Sequence, residues 1–275
     1  MKIRIAHSPD SDDAFMFYAL AKDKVPTGKF EFAHTLQDIE TLNRKALNGI
    51  YEVTAISFHA YAYVADKYIL LPSGASMGDR YGPMVVAREP WSQDELRGKK
   101  IAIPGTMTTA YLAMKLFQPD FEATLVPFDK IMDEVQNGSV DAGLLIHEGQ
   151  LTYADHKLHR IVDLGEWWYR VTSLPLPLGG NVIRRDLGRE NIGEISRLLK
   201  ESIRYALSHR EEALQYAMQF ARDLDVETAD RFVGMYVNER TLDYGEEGRR
   251  AVQLLLDRAH EARVTPVKIK VEFAE

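Results

Sequence analysis

The strongest constraint on the fold is a regular alternation of short apolar strands with helical segments in the first 60 residues. Strands are predicted at residues 2–6, 30–36 and 53–57, and helices at residues 13–21 and 38–48 between them. Asp12 is placed to cap the first helix, and the pair Asn48-Gly49 ends the second. Strands that alternate with helices are typical of a parallel sheet with helical crossovers, so we expect an α/β fold.

The same order occurs a second time further along the chain. Strands are predicted at residues 100–104, 124–128 and 140–146, with helices at 108–117 and 129–136. The two runs have low sequence similarity and no period of 20–50 residues, so we interpret them as two lobes. A strand at residues 83–88 leaves the first run. The segment 174–180, Leu-Pro-Leu-Pro-Leu-Gly-Gly, is interpreted as a stiff apolar linker.

The chain is strongly helical from residue 192 onward, with helices predicted at residues 192–209, 210–223, 227–241 and 246–263. We expect these helices to return and cover the first lobe, whose sheet faces would otherwise be exposed. Two α/β lobes joined by two crossings predict a periplasmic-binding-protein-like fold of type II, with a ligand cleft between the lobes. The predicted limits are residues 1–87 plus 185–275 for lobe one and residues 88–184 for lobe two.

Composition excludes several classes of function. The chain has no cysteine, which rules out thiolate nucleophiles, Cys-ligated zinc and iron–sulfur clusters. Its net charge is −7 with no basic block, so we expect no nucleic-acid partner. No apolar run is long enough for a membrane span or a signal peptide, so we expect a cytoplasmic protein without a membrane partner. Dinucleotide, Walker-type and Gly-x-Ser-x-Gly motifs are also missing.

His147 is the leading candidate for a reactive side chain, because it follows directly after the apolar strand predicted at residues 140–146. The carboxyl ends of strands in an open α/β sheet face the ligand crevice, and imidazole exchanges protons near neutral pH. The alternative is a polar residue that merely ends a strand. Glu148 could orient the ring, although a strand neighbour would point to the opposite face.

Three further segments follow predicted strands and are candidates for binding. Thr108 lies in Gly105-Thr-Met-Thr-Thr-Ala, where free N–H groups at a helix start suit an anion such as a carboxylate; helix capping is the alternative. Ser8 precedes an acidic turn, Asp10-Ser-Asp-Asp13, which would repel an anion and is not a specific metal pattern. Ser57 follows the third strand. Asn43 lies on a helix, where a solvated surface residue is the alternative.

Several ordered motifs together resemble the 1,4-dihydroxy-6-naphthoate synthase family of the futalosine route to menaquinone. They are Ser8-Pro9 with Asp13-Ala-Phe-Met-Phe-Tyr-Ala-Leu, Asp38-Ile-Glu-Thr-Leu-Asn43, Gly82-Pro-Met-Val-Val-Ala, Pro104-Gly with Thr108-Thr-Ala-Tyr, Gly143-Leu-Leu-Ile-His-Glu148, Val162-Asp-Leu-Gly-Glu-Trp-Trp and Leu174-Pro-Leu-Pro-Leu-Gly. The resemblance covers about residues 2–248. One turn departs from it: the family's Ser-Pro-Cys-Pro-Asn-Asp is here Ser8-Pro-Asp-Ser-Asp-Asp13.

The resemblance implies a cytoplasmic lyase that converts cyclic de-hypoxanthine futalosine to 1,4-dihydroxy-6-naphthoate, with no organic cofactor and no metal. The family's base corresponds to His147. Its substrate contacts correspond to Ala55, Ile56 and Ser57 on one side, and to Thr109 and Ala110 on the other.

From the residue patterns and the family resemblance together, we expect the substrate's carboxylate at the helix start from Thr108 to Ala110. Its hydroxyl groups are expected near Ser8, Asn43 and Ser57. Two alternatives stay open: a solute-binding receptor for a small carboxylate, and the chorismate dehydratase of the same pathway. The oligomeric state is also left open, with a homodimer as one option.

Overall fold

Two mixed β-sheets form the framework of the molecule in the computed structural model, which describes residues 1–220 and 225–274. The first run of elements comprises β1 (Lys2–His7), α1 (Ser11–Ala21), β2 (Glu31–Leu36), α2 (Ile39–Ala46), β3 (Val53–Ser57), α3 (Phe58–Tyr61), β4 (Tyr68–Leu70) and β5 (Ser76–Gly78). The second comprises β6 (Met84–Ala87), β7 (Lys100–Ile103), α4 (Thr109–Phe117), β8 (Glu122–Leu125), α5 (Ile131–Asn137), β9 (Ala142–Leu145), α6 (Gly149–Thr152), β10 (His159–Asp163) and α7 (Leu164–Thr172). The chain continues with β11 (Leu176–Arg184), α8 (Arg189–Ser208), α9 (Arg210–Ala217), α10 (Val226–Tyr236), α11 (Glu239–Leu242) and α12 (Gly245–Glu261).

The two sheets repeat one pattern. The first has the strand order β2-β1-β3-β11-β4, with β5 also paired to β11, and the second has the order β10-β6-β9-β7-β8. In each sheet the central strand of a parallel triplet comes first in the chain, β1 in one and β7 in the other. The α/β prediction is therefore confirmed, but both sheets are mixed, because β11 and β6 run antiparallel to their neighbours β3 and β9.

The antiparallel strands also show where the chain crosses between the sheets. Strand β6 pairs with β9 and β10 in the second sheet, and β11 pairs with β3, β4 and β5 in the first. Residues 84–87 therefore lie with the second sheet and residues 176–184 with the first, whereas the predicted limits assigned both segments to the other lobe. The chain therefore crosses between the two sheets before residue 84 and again before residue 176. The limits of the two lobes stay a prediction.

The interpretation of residues 174–180 as a linker is wrong, because most of this segment begins β11. Pro177 is tolerated where the register shifts between Pro177 and Gly179, a bulge that relaxes the need for a backbone donor. Gly180 is required by close packing, since a Cβ there would lie 2.3 Å from the Tyr244 hydroxyl oxygen. Proline and glycine, which normally indicate a break, here permit a central strand.

The helices after β11 pack around α1 and β11 on the first sheet. Helix α1 is buried on nearly all sides, with Phe15, Met16 and Phe17 at 0–1% exposure, because α8, α9 and α10 surround it. Each such side chain contributes about 1.5–3 kcal/mol on burial. The segment predicted as one helix at residues 227–241 is two helices, α10 and α11, and the end of the helix predicted at 210–223 lies outside the described residues. No described helix has the length and apolar character needed to cross a membrane.

Candidate active site

A cleft with about 750 Å³ of empty space lies between the two sheets, at the carboxyl ends of β1, β3, β7 and β9. This is where ligands bind in open α/β sheets, since helix starts and strand ends converge there. Eight of the nine residues predicted to form the site line the cleft: Ser8, Ala55, Ile56, Ser57, Thr108, Thr109, Ala110 and His147. Their roles in chemistry or binding stay predictions.

His147 lies in a loop, not at a strand end. Strand β9 ends at Leu145 and α6 begins at Gly149, so the strand predicted at residues 140–146 is shorter at both ends. The imidazole is held edge-on against the Phe128 ring, with centroids 4.2 Å apart. Its side chain is only 16% exposed and faces the cleft. A base in this position would be shielded from most bulk water but open to a ligand.

Asp10 is the site residue that sequence reasoning missed. Its Oδ2 lies 3.2 Å from Nδ1 of His147, and its side chain is 5% exposed. Asp10 occupies the cap position of α1, yet its side chain makes no capping hydrogen bond, so the carboxylate is directed elsewhere. The acidic turn was visible in the sequence, but nothing local indicated which carboxylate would meet the imidazole.

The other carboxylates of the acidic turn lie close to one another. Burial raises the pKa of Asp12 well above its ordinary value, and the neighbouring charges of Asp13, Asp10 and Glu148 raise it further. Burial also raises the pKa of Asp13 to about 6, although the Ser8 N–H donates to its Oδ2 at 2.7 Å and opposes the shift. This end of the cleft therefore disfavours an anionic group and retains protons that ordinary carboxylates release.

Glu148 lies near the same cluster. The expectation that it points away from His147 is wrong, because these two residues are not in a strand. Glu148 is 7% exposed, and its Oε1 accepts a hydrogen bond from Ser11 Oγ at 3.4 Å. Among the described residues, Asp10, His147 and Glu148 have ligand atoms within 4.8 Å of one another, a donor set that a divalent cation can use. Without a cation, the contact between Asp10 and His147 has the geometry of an ion pair.

The start of α4 forms the opposite wall of the cleft. Thr108 caps the helix, because its Oγ1 accepts from the Tyr111 N–H at 3.1 Å. The Thr109 hydroxyl donates to the Leu178 carbonyl at 2.6 Å and accepts from the His59 N–H at 3.2 Å. Both threonine hydroxyls therefore have protein partners. The N–H groups of Thr109 and Ala110 have no intrahelical acceptor in this geometry and remain suited to an anion.

Asn43 is neither a surface residue nor part of the cleft lining. It is fully buried, and its Nδ2 donates to Ser57 Oγ at 3.0 Å and to the Met107 carbonyl at 3.3 Å. Its Oδ1 accepts from the Ser57 N–H at 2.9 Å. Asn43 thus holds the turn after β3 in place and joins it to the segment before α4. A direct contact with substrate, as expected from the sequence, would require these bonds to break.

The fold defines the class of protein first. The aliphatic sulphonate binding protein SsuA of Escherichia coli, a periplasmic protein, superposes with a TM-score of 0.66 at 15% identity over 98% of this chain and 89% of that one. The predicted periplasmic-binding-protein-like fold is thereby confirmed. The sequence profile described as "Menaquinone biosynthesis" matches residues 3–261, so the chain belongs to this menaquinone biosynthesis family.

Individual relatives support the same assignment. The chain is 44% identical to 1,4-dihydroxy-6-naphthoate synthase of Thermus thermophilus over 95% of this chain and 94% of the relative. It is 38% identical to the Streptomyces coelicolor protein of the same name, over 96% and 95% of the two chains. The crystal structure of protein AF1704 from Archaeoglobus fulgidus superposes with a TM-score of 0.92 at 52% identity, covering 96% of this chain and 98% of that one.

Proposed function

We propose that this protein is a carbon–carbon lyase that converts cyclic de-hypoxanthine futalosine to 1,4-dihydroxy-6-naphthoate in menaquinone biosynthesis. The observation that carries the proposal is the position of His147 in a cleft between two lobes, in a chain whose near-full-length relatives are named for this product.

The charge distribution of the cleft orients the substrate. Free N–H groups at the start of α4 attract a carboxylate, and the dipole of the helix favours the same charge. The acidic turn from Asp10 to Asp13 repels a carboxylate at the other end. We therefore place the substrate's carboxylate against Thr109 and Ala110, with its hydroxyl groups toward Ser57, whose Oγ–H is able to donate to them.

In this orientation His147 acts as the general base. Nδ1 of the ring faces Asp10, so Nε2 is the nitrogen that accepts a proton from a carbon of the substrate. Proton removal then permits cleavage of a carbon–carbon bond, which releases the sugar-derived fragment with a proton, and the formation of an aromatic ring in the remaining product drives the reaction forward. A positioned base contributes about 10²–10⁴-fold in rate, and exclusion of water by the closed lobes adds to this effect. The mechanism uses no metal and no organic cofactor.

The remaining parts of the proposal concern location and partners. A biosynthetic enzyme that acts on a small carboxylate needs neither a membrane nor a nucleic acid, and we place it in the cytoplasm. Fractionation of the source cells, with immunodetection of the protein, tests this location. Recovery in a membrane or exported fraction would contradict it. Sedimentation of the purified protein decides between a monomer and a homodimer.

The test of the activity is incubation of the purified protein with cyclic de-hypoxanthine futalosine, followed by mass spectrometry of the products. We expect 1,4-dihydroxy-6-naphthoate from the wild type and at least 10²-fold less from His147→Asn, which keeps the polarity of the side chain but removes the base. His159→Asn, at an exposed position in β10, is the matched control and should retain full activity. Near-normal turnover by His147→Asn would refute the assignment of the base. Consumption of chorismate instead would favour the dehydratase, and tight binding without turnover would favour a receptor.

A further inference from the structure

The contact between Asp10 and His147 joins the two halves of the molecule. Asp10 follows β1 of the first sheet, whereas His147 follows β9 of the second. A second contact spans the same gap. The Ser11 hydroxyl donates to Glu148, and the loop that carries His147 is therefore held to the start of α1 at more than one point.

A third contact strengthens this connection. The Tyr236 hydroxyl, from α10, donates to Gln150 Oε1 at 2.7 Å, and both side chains are buried. Gln150 lies in α6, directly after the loop of His147. Three polar contacts thus fix one short segment of the second lobe against the first, next to the imidazole.

We propose that Asp10 is a positioning residue for His147, and that the contact between them, made across the two lobes, sets the ring for catalysis. This inference rests on the proposed role of His147 as the base. It assigns to the acidic turn a function in the reaction beyond the repulsion of an anion.

The chemistry of the pair supports this role. A carboxylate beside Nδ1 favours the tautomer that carries its proton on that nitrogen, and this tautomer leaves Nε2 with the lone pair that a base needs. When Nε2 takes a proton, the carboxylate stabilises the positive charge that forms on the ring. A second restraint comes from Phe128, whose ring packs against the imidazole and limits its rotation. The Asp10 carboxylate and the Phe128 ring together hold the His147 imidazole in one orientation.

The burial of Asp10 gives the contact its strength. Its side chain is 5% exposed, and charge-assisted contacts act more strongly where water is excluded. The separation of 3.2 Å is close to the upper range of a hydrogen bond, so a shift of about 1 Å between the start of α1 and the loop of His147 removes the contact.

The test compares Asp10→Asn, Asp10→Ala and Asp10→Glu with the control Asp66→Asn, which removes an exposed carboxylate of lobe one. We expect Asp10→Asn and Asp10→Ala to lower kcat by about 10²-fold with KM within about threefold, because the base is misdirected while the substrate contacts remain. Asp10→Glu restores a carboxylate and should recover at least tenfold of the loss. Asp66→Asn should match the wild type.

A second readout does not depend on turnover. In protein labelled with ¹⁵N-histidine and saturated with 1,4-dihydroxy-6-naphthoate, the His147 signals are identified by their loss in His147→Asn. We expect a protonated Nδ1 and an unprotonated Nε2 in the wild type, and loss of this single tautomer in Asp10→Ala. Thermal unfolding of each variant separates misfolding from misdirection.

The outcomes are separable. If the wild type does not turn over the substrate, the proposed function fails and this inference fails with it, because Asp10 then has no base to position. If His147→Asn is inactive but Asp10→Ala keeps both the wild-type kcat and the wild-type tautomer, only the present inference is overturned. A fall in kcat that parallels a fall in Tm, with the tautomer unchanged and no recovery in Asp10→Glu, would also overturn it.

Discussion

Replacement of Asn43 by alanine should destabilise the protein and weaken substrate binding, although Asn43 does not line the cleft. The substitution removes three hydrogen bonds: two that join Asn43 to Ser57, and one to the Met107 carbonyl. At about 1 kcal/mol for each bond, the free energy of unfolding falls by about 3 kcal/mol, and buried groups left without partners increase this loss. For a chain of this size the expected fall in Tm is roughly 6–12 °C.

The assay combines thermal unfolding with steady-state kinetics. Asn48→Ala is the matched control, since Asn48 is exposed at the end of the same helical segment, and its effect should stay within about 0.5 kcal/mol. We expect Asn43→Ala to raise KM as well, because the turn that presents Ser57 is no longer held. If Asn43→Ala raises KM while its Tm equals that of Asn48→Ala, then Asn43 contacts substrate directly, and the supporting role argued above is wrong.

Two further predictions concern stability. A Cβ at Gly165 would lie 1.9 Å from the Tyr81 carbonyl oxygen, so Gly165→Ala should lower Tm by several degrees. The control Gly234→Ala, in the helix α10, should be neutral or stabilising. Equal Tm values for the two variants would contradict the packing argument. Burial lowers the pKa of His59 from 6.5 to about 4, so the neutral ring is favoured in the folded state. Below pH 6.5 the unfolded chain binds the proton first, and the stability contributed by the neutral ring is lost as pH falls toward 4. Urea unfolding should therefore show that wild type loses about 2 kcal/mol of stability relative to His59→Phe between pH 7 and pH 5. A difference in stability that stays constant over this range would exclude the link between the pKa of His59 and folding.

Much of the fold was predictable because its signals are local. Apolar periodicity and turn residues identified the repeated strand–helix order, and the parallel triplets β2-β1-β3 and β8-β7-β9 agree with it. The motifs also identified the family, which the sequence profile confirms. The rule that strand ends face the cleft placed Ser57 and Thr108 correctly, since it depends only on chain direction in a parallel sheet.

The predictions that failed depended on contacts between distant parts of the chain. Residues 174–180 are predicted to be a linker because the prolines hold the chain extended and the glycine pair allows a sharp bend, yet pairing with β3 and β5 makes most of the segment a strand. Asn43 is predicted to lie near the substrate's hydroxyl groups, with a solvated surface position as the alternative. Its burial follows from the approach of Met107, which lies 64 residues further along the chain.

The sequence alone determined that two α/β units would form and that His147 would lie just beyond the carboxyl end of a strand in the second unit. Only the tertiary structure decided that Asp10, 137 residues away, would be the carboxylate beside it. The reason is physical. Periodicity and turn chemistry act over a few residues and are written in the local sequence, whereas the partner of a buried imidazole depends on how two lobes close against each other. That closure is decided by the sum of packing over the whole molecule.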